Sequence, residues 1–479
     1  MLNFMCIADA SFDTLSPTSV CLLVGFFIVR GILMQQDTIL EGRILPPLIK
    51  FSLPLMLSLI LQALYGGVDL AVVGKFSETA SVSAVSTGSQ VMQTATVIVT
   101  GLTMGVTVLL GQSIGAGDKE RAGGIVAGQI KLFIFVAAFL TIVMIAFAEK
   151  AALIMNVPSA AIDEAVSYIR ICSAGMVFIT AYNAISGVFR GIGNSRSPFI
   201  FVSIACVVNI VCDLIFVGVF HMDASGAAYA TVLAQAVSVV FSAFYIRRID
   251  MPFSLTKKSF KLPGTINSIV KIGAPIALQD FLVGISFLII TSIINSLGLT
   301  ASASVGISEK IYVFLSIVPM AFMSALSAFV AQNIGAGNPK RAVQSLFIAQ
   351  KISFCFGVAM FLATFFFGGN LASIFADDQA VIDATAEYLR GCSFEYLIIS
   401  VAFCLLGYFN GIGKTGFVMV QGLLSSFLVR IPLSYVLSRM PNTSMALISI
   451  AVPVSALSGL VLSLIYFWYL RKKEAKKAA

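Results

Sequence analysis

The sequence predicts an all-α polytopic membrane protein, with twelve transmembrane helices in two six-helix lobes related by a pseudo-two-fold axis. Three observations carry that prediction. Only 11% of the 479 residues are charged and the mean hydropathy is +0.99. A soluble domain has about 25% charged residues, so there is too little polar surface here to coat a globule. The apolar residues run on for about 20 positions at a time, as in 131–148 and 446–470. Such runs suit membrane-spanning helices, not the alternating strands of a β-barrel. Finally, GQSIGAGDKERA (Gly111–Ala122) returns 220 positions later as AQNIGAGNPKRA (Ala331–Ala342), with seven of its twelve residues kept.

Taken in order, residues 1–45 form an N-terminal extension. Its apolar stretch Ser19–Met34 is short and broken by Arg30, so it reads as a signal-like segment, an extra helix, or sequence upstream of a true start at Met34; the last is preferred. Spans one to six follow at about 46–74, 81–112, 120–148, 161–189, 197–219 and 224–246, and make the N-lobe, 46–246. A basic connector, 247–266, separates them from the C-lobe, 267–470. Its spans seven to twelve lie at about 267–297, 301–333, 341–368, 380–409, 415–438 and 443–470, and a basic tail, 471–479, ends the chain.

Further pairs fix the duplication. YIRIC at Tyr168 matches YLRGC at Tyr388, and GVFRGIGNS at Gly187 matches GYFNGIGKT at Gly407, both 220 apart. Six spans per half is an even number, so both halves enter from one side and are parallel repeats with the working cavity between them. Each copy of the opening dozen reads as a tight turn. A glycine (Gly115 or Gly117, Gly335 or Gly337) takes the left-handed conformation that ends one helix. Asp118 or Asn338 caps the next helix, and Pro339 stands at its first position.

Charge sets the orientation. One set of connections carries Arg43, Lys50, Lys119, Arg121, Arg190, Arg196, the connector, Lys340, Arg341, Lys414 and the tail. The other carries Lys75, Lys150, His221, Asp377, Asp378 and Arg439. The first set faces the cytoplasm by the positive-inside rule, with both termini there, which places the chain in the cell (cytoplasmic or inner) membrane. The net charge of +8 is thus spent on membrane topology and does not indicate nucleic acid. Eight cysteines without C-x-x-C spacing read as small buried hydrophobes, and a single histidine in a turn leaves no basis for a histidine-centred enzyme or metal site.

Carboxylates inside spans mark pathways or ion sites, because they are costly there. Asp69 stands 15 residues after Pro54, read as opening span one, and Asp213 stands 15 after Pro198, read as opening span five. Both then reach roughly 22 Å across, in the outer part of a ~30 Å core. Asn209 is one turn before Asp213, Gln62 two turns before Asp69, and Thr231 and Tyr168 come to a similar depth on spans six and four. Four spans thereby bring oxygen atoms to one level, as a dehydrated Na⁺ or a shared proton requires. The bland alternative is that the two acids only hydrogen-bond neighbouring helices. In the second half, Asp280 and Glu395 fall in the inner half of the membrane. They either bind cationic substrate or a second proton, or pair with a nearby base. Glu309 and Lys310 face partners or a wet cavity, and Arg430 supplies a fixed positive charge.

Across Gly42–Leu470 these motifs resemble the MATE (multidrug and toxic compound extrusion) transporters. They are Pro54 with Asp69, QSIGAGDKERA, GVFRGIGNS, Asn209 with Asp213, Thr231 and their second-half echoes. The resemblance implies two lobes around a V-shaped cavity. It also implies export of organic cations or amphipathic drugs in exchange for Na⁺ or H⁺, with no cofactor, by a monomer in the bilayer. It places the coupling cation at Asp69, Asn209, Asp213 and Thr231, with Gln62 and Tyr168 nearby. One branch of the family uses a second-lobe Glu eight residues after the span-seven proline, and Val283 stands there in this chain. That departure favours a first-lobe mechanism, in which neutralising the repelling Asp69–Asp213 pair repacks the lobe and expels substrate. A lipid-linked oligosaccharide flippase of the same superfamily is the alternative. Its more basic cavity and extra spans fit the four intramembrane acids less well.

Overall fold

The computed structural model describes residues 39–441 and 443–478. The readings made for residues 1–33 lie outside these. Eleven helices among the described residues are long and apolar enough to cross a membrane, and one bent pair completes twelve spans. Long helices are the expected answer to lipid, which leaves backbone N–H and C=O groups no partner but one another. Spans one to three are Leu45–Phe76, Thr79–Gly115 and Lys119–Ile154, and five and six are Arg196–Val219 and Asp223–Ile246. Spans seven to nine are Thr265–Asn295, Leu299–Gly335 and Pro339–Ala372, and eleven and twelve are Thr415–Ser438 and Met445–Lys476.

Span four is not straight. Ser159–Ala174 and Met176–Gly191 meet at 50° around Gly175, where the Val232 side chain of span six takes the place a Cβ would need. Span ten breaks at nearly the equivalent point, Ser393, between Gln379–Cys392 and Phe394–Gly411. Neither break was legible in the continuous apolar pattern. Pro54 and Pro275 do not open their spans either, since both lie inside helices that begin about three turns earlier.

The repeated turns form as their sequences suggest in all but one respect: Asn338 holds the N-cap position of span nine, but its side chain makes no cap hydrogen bond there. Gly117 (φ +70°) and Gly337 (φ +73°) take the left-handed conformation, and Asp118 accepts a hydrogen bond from the Arg121 N–H at 2.9 Å. The connector is strapped along span three. Gly123, Gly124 and Gly128 leave room there for the Ser254 carbonyl, Leu262 and Thr265, and Lys131 Nζ donates to the Phe260 carbonyl. Span three turns Ile134, Phe135, Phe139 and Ile142 outward, as a lipid-facing helix must.

The cores show how the lobes engage. The N-lobe core also includes Ile269 of span seven, and the C-lobe core includes Leu48, Phe51 and Leu55 of span one. These residues lie at the end of the bundle that carries the basic connections, where the starts of spans one and seven cross to the opposite lobe. Gly101 and Gly105 of span two let its backbone touch Ala277 and Gly273 of span seven directly. Such close small-residue seams replace the hydrophobic drive that lipid does not provide. Toward the other end, the next clusters belong to the C-lobe alone, and Gln62, Gly66 and Gly67 of span one are exposed. The core residues that the lobes share thus lie at the basic end.

Candidate functional site

In the N-lobe, spans one, five and six bring three buried or half-buried side chains around one carboxylate. Asp69 is 5% exposed, Asn209 1% and Asp213 0%. Thr231 Oγ1 donates to Asp69 Oδ2 at 3.4 Å, and Asp213 and Asn209 lie within reach of the same carboxylate. Beyond the Thr231 bond, satisfaction stops. Asp69 Oδ1, both Asp213 oxygens and both amide atoms of Asn209 are buried with no hydrogen-bond partner among the described residues. Buried polar atoms are almost always paired, so such a cluster needs an explanation. Two unit charges about 4 Å apart repel by about 4 kcal/mol at an effective dielectric near 20. A proton or a small cation held by these oxygens removes that repulsion and satisfies the orphaned acceptors. The donor set, carboxylate and amide oxygens with a hydroxyl, is the hard-oxygen chemistry that Na⁺ takes as readily as H⁺.

Local sequence explains the placement. Asp213 ends the α-helical part of span five, and a π-helical segment, Leu214–Val219, begins at the next residue. A π turn widens the helix and is characteristic of functional positions. Tyr168, 3% exposed, is held against Gly88 of span two, where a side chain would strike the ring. Tyr65, one turn before Asp69, also flanks the carboxylate. Sequence reading missed Tyr65, although its four-residue spacing from Asp69 puts both on one face. Gln62 shares that stripe further along but is exposed and makes none of these bonds.

The C-lobe resolves its charges differently. Arg430 Nη2 donates to Glu395 Oε1 at 3.3 Å, the two side chains being 9% and 3% exposed. The guanidinium also lies over the Phe287 ring, 4.8 Å from its centroid. Of the two readings left open for Glu395, pairing with a base is the one realised, and Arg430 is a neutralised charge. A small cavity of about 50 Å³ adjoins the pair, lined by Tyr312, Tyr388, Tyr396 and Glu309. Glu309 is exposed and accepts from Thr291 Oγ1 at 3.1 Å. Asp280 is the sixteenth residue of the 31-residue span seven, near mid-helix. It is exposed and forms no ion pair among the described residues.

Comparison with known proteins sets this geometry among relatives. The family model MatE matches residues 54–215 and again 275–436, once per lobe. The probable multidrug resistance protein YpnP of Bacillus subtilis is 28% identical over 450 residues, covering 92% of this chain and 99% of its own. A FAD transporter of Shewanella oneidensis is 26% identical over 381 residues, 76% and 80% of the two chains. Among solved structures, an outward-facing multidrug resistance MATE transporter aligns with a TM-score of 0.85 at 20% identity, over 93% of this chain and 99% of that one.

Proposed function

The chain belongs to the MatE family, and from that premise we propose that it is a secondary active efflux antiporter. It exports organic cations or amphipathic drugs across the cell membrane in exchange for Na⁺ or H⁺, by alternating access. Its basic end and both termini face the cytoplasm, and it works as a monomer. The observation that carries this reading is the acid pair of the N-lobe, whose buried oxygens lack partners among the described residues, set against the ion-paired Glu395–Arg430 of the C-lobe. Only the first has orphaned oxygens that a captured cation would satisfy.

The residues divide the work as follows. With the lobes joined at the basic end, the cleft opens outward, and Gln62 stands at its exposed wall. A cation entering there is held by Asp69 and Asp213, with the Asn209 amide oxygen and the Thr231 hydroxyl completing the shell. Tyr65 and Tyr168 close off the apolar side. Removing the repulsion between the two carboxylates alters how spans one, five and six pack, and so changes the affinity of the cleft for substrate. The ion drives the cycle by as much as its affinities for the two states differ. Asp280, exposed and without an ionic partner among the described residues, offers a cationic substrate its counter-charge. The name of the Bacillus subtilis relative, a probable multidrug resistance protein, supports the drug-like substrate class.

The test is efflux of ethidium from cells under imposed Na⁺ or pH gradients. Wild type should export under one of them, while Asp69→Asn and Asp213→Asn should not. Undiminished export by both variants would overturn the site.

A further inference from the structure

The basic end is held shut by a reciprocal pair of bonds. Gln112 Nε2 on span two donates to the Gly411 carbonyl of the C-lobe at 3.0 Å, and Gln332 Nε2 on span eight donates to the Gly191 carbonyl of the N-lobe at 2.8 Å. Both glutamines are 220 positions apart, as are both glycines. The acceptors are not arbitrary. Gly191 and Gly411 are the last residues of their helices, whose final carbonyls have no partner within the helix. The turns that follow take three of the last four. Ile192, Gly193 and Asn194 donate to Val188, Arg190 and Phe189, and Ile412, Gly413 and Lys414 donate to Tyr408, Asn410 and Phe409. In each lobe the one left over is the glycine carbonyl, and the glutamine of the opposite lobe takes it. Backbone contact accompanies each bond. A methyl group on Gly115 would overlap the Gln332 carbonyl oxygen, and one on Gly335 would overlap that of Gln112.

We infer that Gln112 and Gln332 are the latch of the transport cycle: they position the lobes in the state closed at the basic end, and opening that end releases both bonds together. The inference rests on the alternating-access reading above. The bonds join two rigid lobes across the pseudo-two-fold axis, so parting the lobes at this end cannot break one and spare the other. Both carbonyls then reach water, which makes the latch reversible. Gly115 and Gly335 are the positions where closure admits no side chain.

Hydrogen exchange on the purified protein in detergent, with no ion gradient and no substrate, tests this. Gln112→Met keeps volume and loses the donor. It should speed exchange about tenfold at 411–414, which Gln112 touches, and equally at 191–194, which it does not, because both bonds open together. Gln332→Met should give the mirror result. Gly115→Ala should do the same without removing any donor, and serves if a glutamine variant fails to fold. Exchange confined to the turn that each glutamine touches, or equal to wild type throughout, overturns the latch. Since no transport is measured, failure here leaves the coupling site standing. Failure of gradient-driven efflux would likewise leave the exchange result intact.

Discussion

Removing Arg430 alone should be among the most destabilising single changes in the C-lobe. The pair is 3.3 Å apart with side chains 9% and 3% exposed, so water screens it little. At an effective dielectric near 20, that separation corresponds to about 5 kcal/mol of attraction. Most of this offsets the desolvation of the two ions, and the net value of a buried pair over an apolar one is small. Truncating one partner is different, because it strands Glu395 among Tyr312, Tyr388 and Tyr396. Breaking a buried pair costs about 3–5 kcal/mol. For a lobe of this size that lowers the melting temperature by roughly 10 °C. Arg430→Met should show this loss in a detergent melt, and Glu395→Leu with Arg430→Met together should recover most of it. The double variant should also keep gradient-driven efflux, since coupling is assigned to the N-lobe. A single variant as stable as wild type would refute the burial argument. A folded double variant without efflux would refute the assignment of this pair to structure.

Three further outcomes follow from the geometry. Asp213→Asn removes a buried carboxyl whose oxygens face Asp69 with no partner among the described residues, so in Na⁺-free solution it should raise the melting temperature by a few degrees while abolishing ion-driven export. Thr231→Val removes the hydroxyl that completes the proposed shell around the ion beside Asp69; a lost contact of about 1 kcal/mol in the ion-bound state should raise the half-saturating ion concentration for efflux about fivefold. Gly88→Ala drives a methyl into the Tyr168 ring and should cost about 1–3 kcal/mol in a thermal melt, with Tyr168→Leu in the same chain restoring part of it.

Much of this molecule is written locally. An apolar run of about 20 residues has one stable answer in lipid, so the twelve spans were readable one by one. The turn at Gly117 needs only its own glycine, its Asp118 cap and the residues beside them. Asp69 and Asp213 stood out because a carboxylate among hydrocarbon side chains is conspicuous without any knowledge of its neighbours. Tyr65 did not stand out, since a tyrosine in a span is unremarkable until the carboxylate beside it is located. The bend at Gly175 and the interruption at Ser393 were hidden because neither changes the apolar pattern.

Sequence alone therefore determined the element type, the duplication and the identity of the buried acids, all of which follow from the solvation of single residues and from internal repetition. Tertiary structure decided which charges stay unpaired. Glu395 finds Arg430, 35 positions away on another helix, and is silenced, while Asp69 and Asp213 meet each other and are not. It also decided that Gln112 and Gln332 reach across to the other lobe's helix ends. The physical reason is that pairing depends on which helix faces come together. In a chain whose spans are apolar nearly all round, hydrophobic periodicity carries little record of those faces.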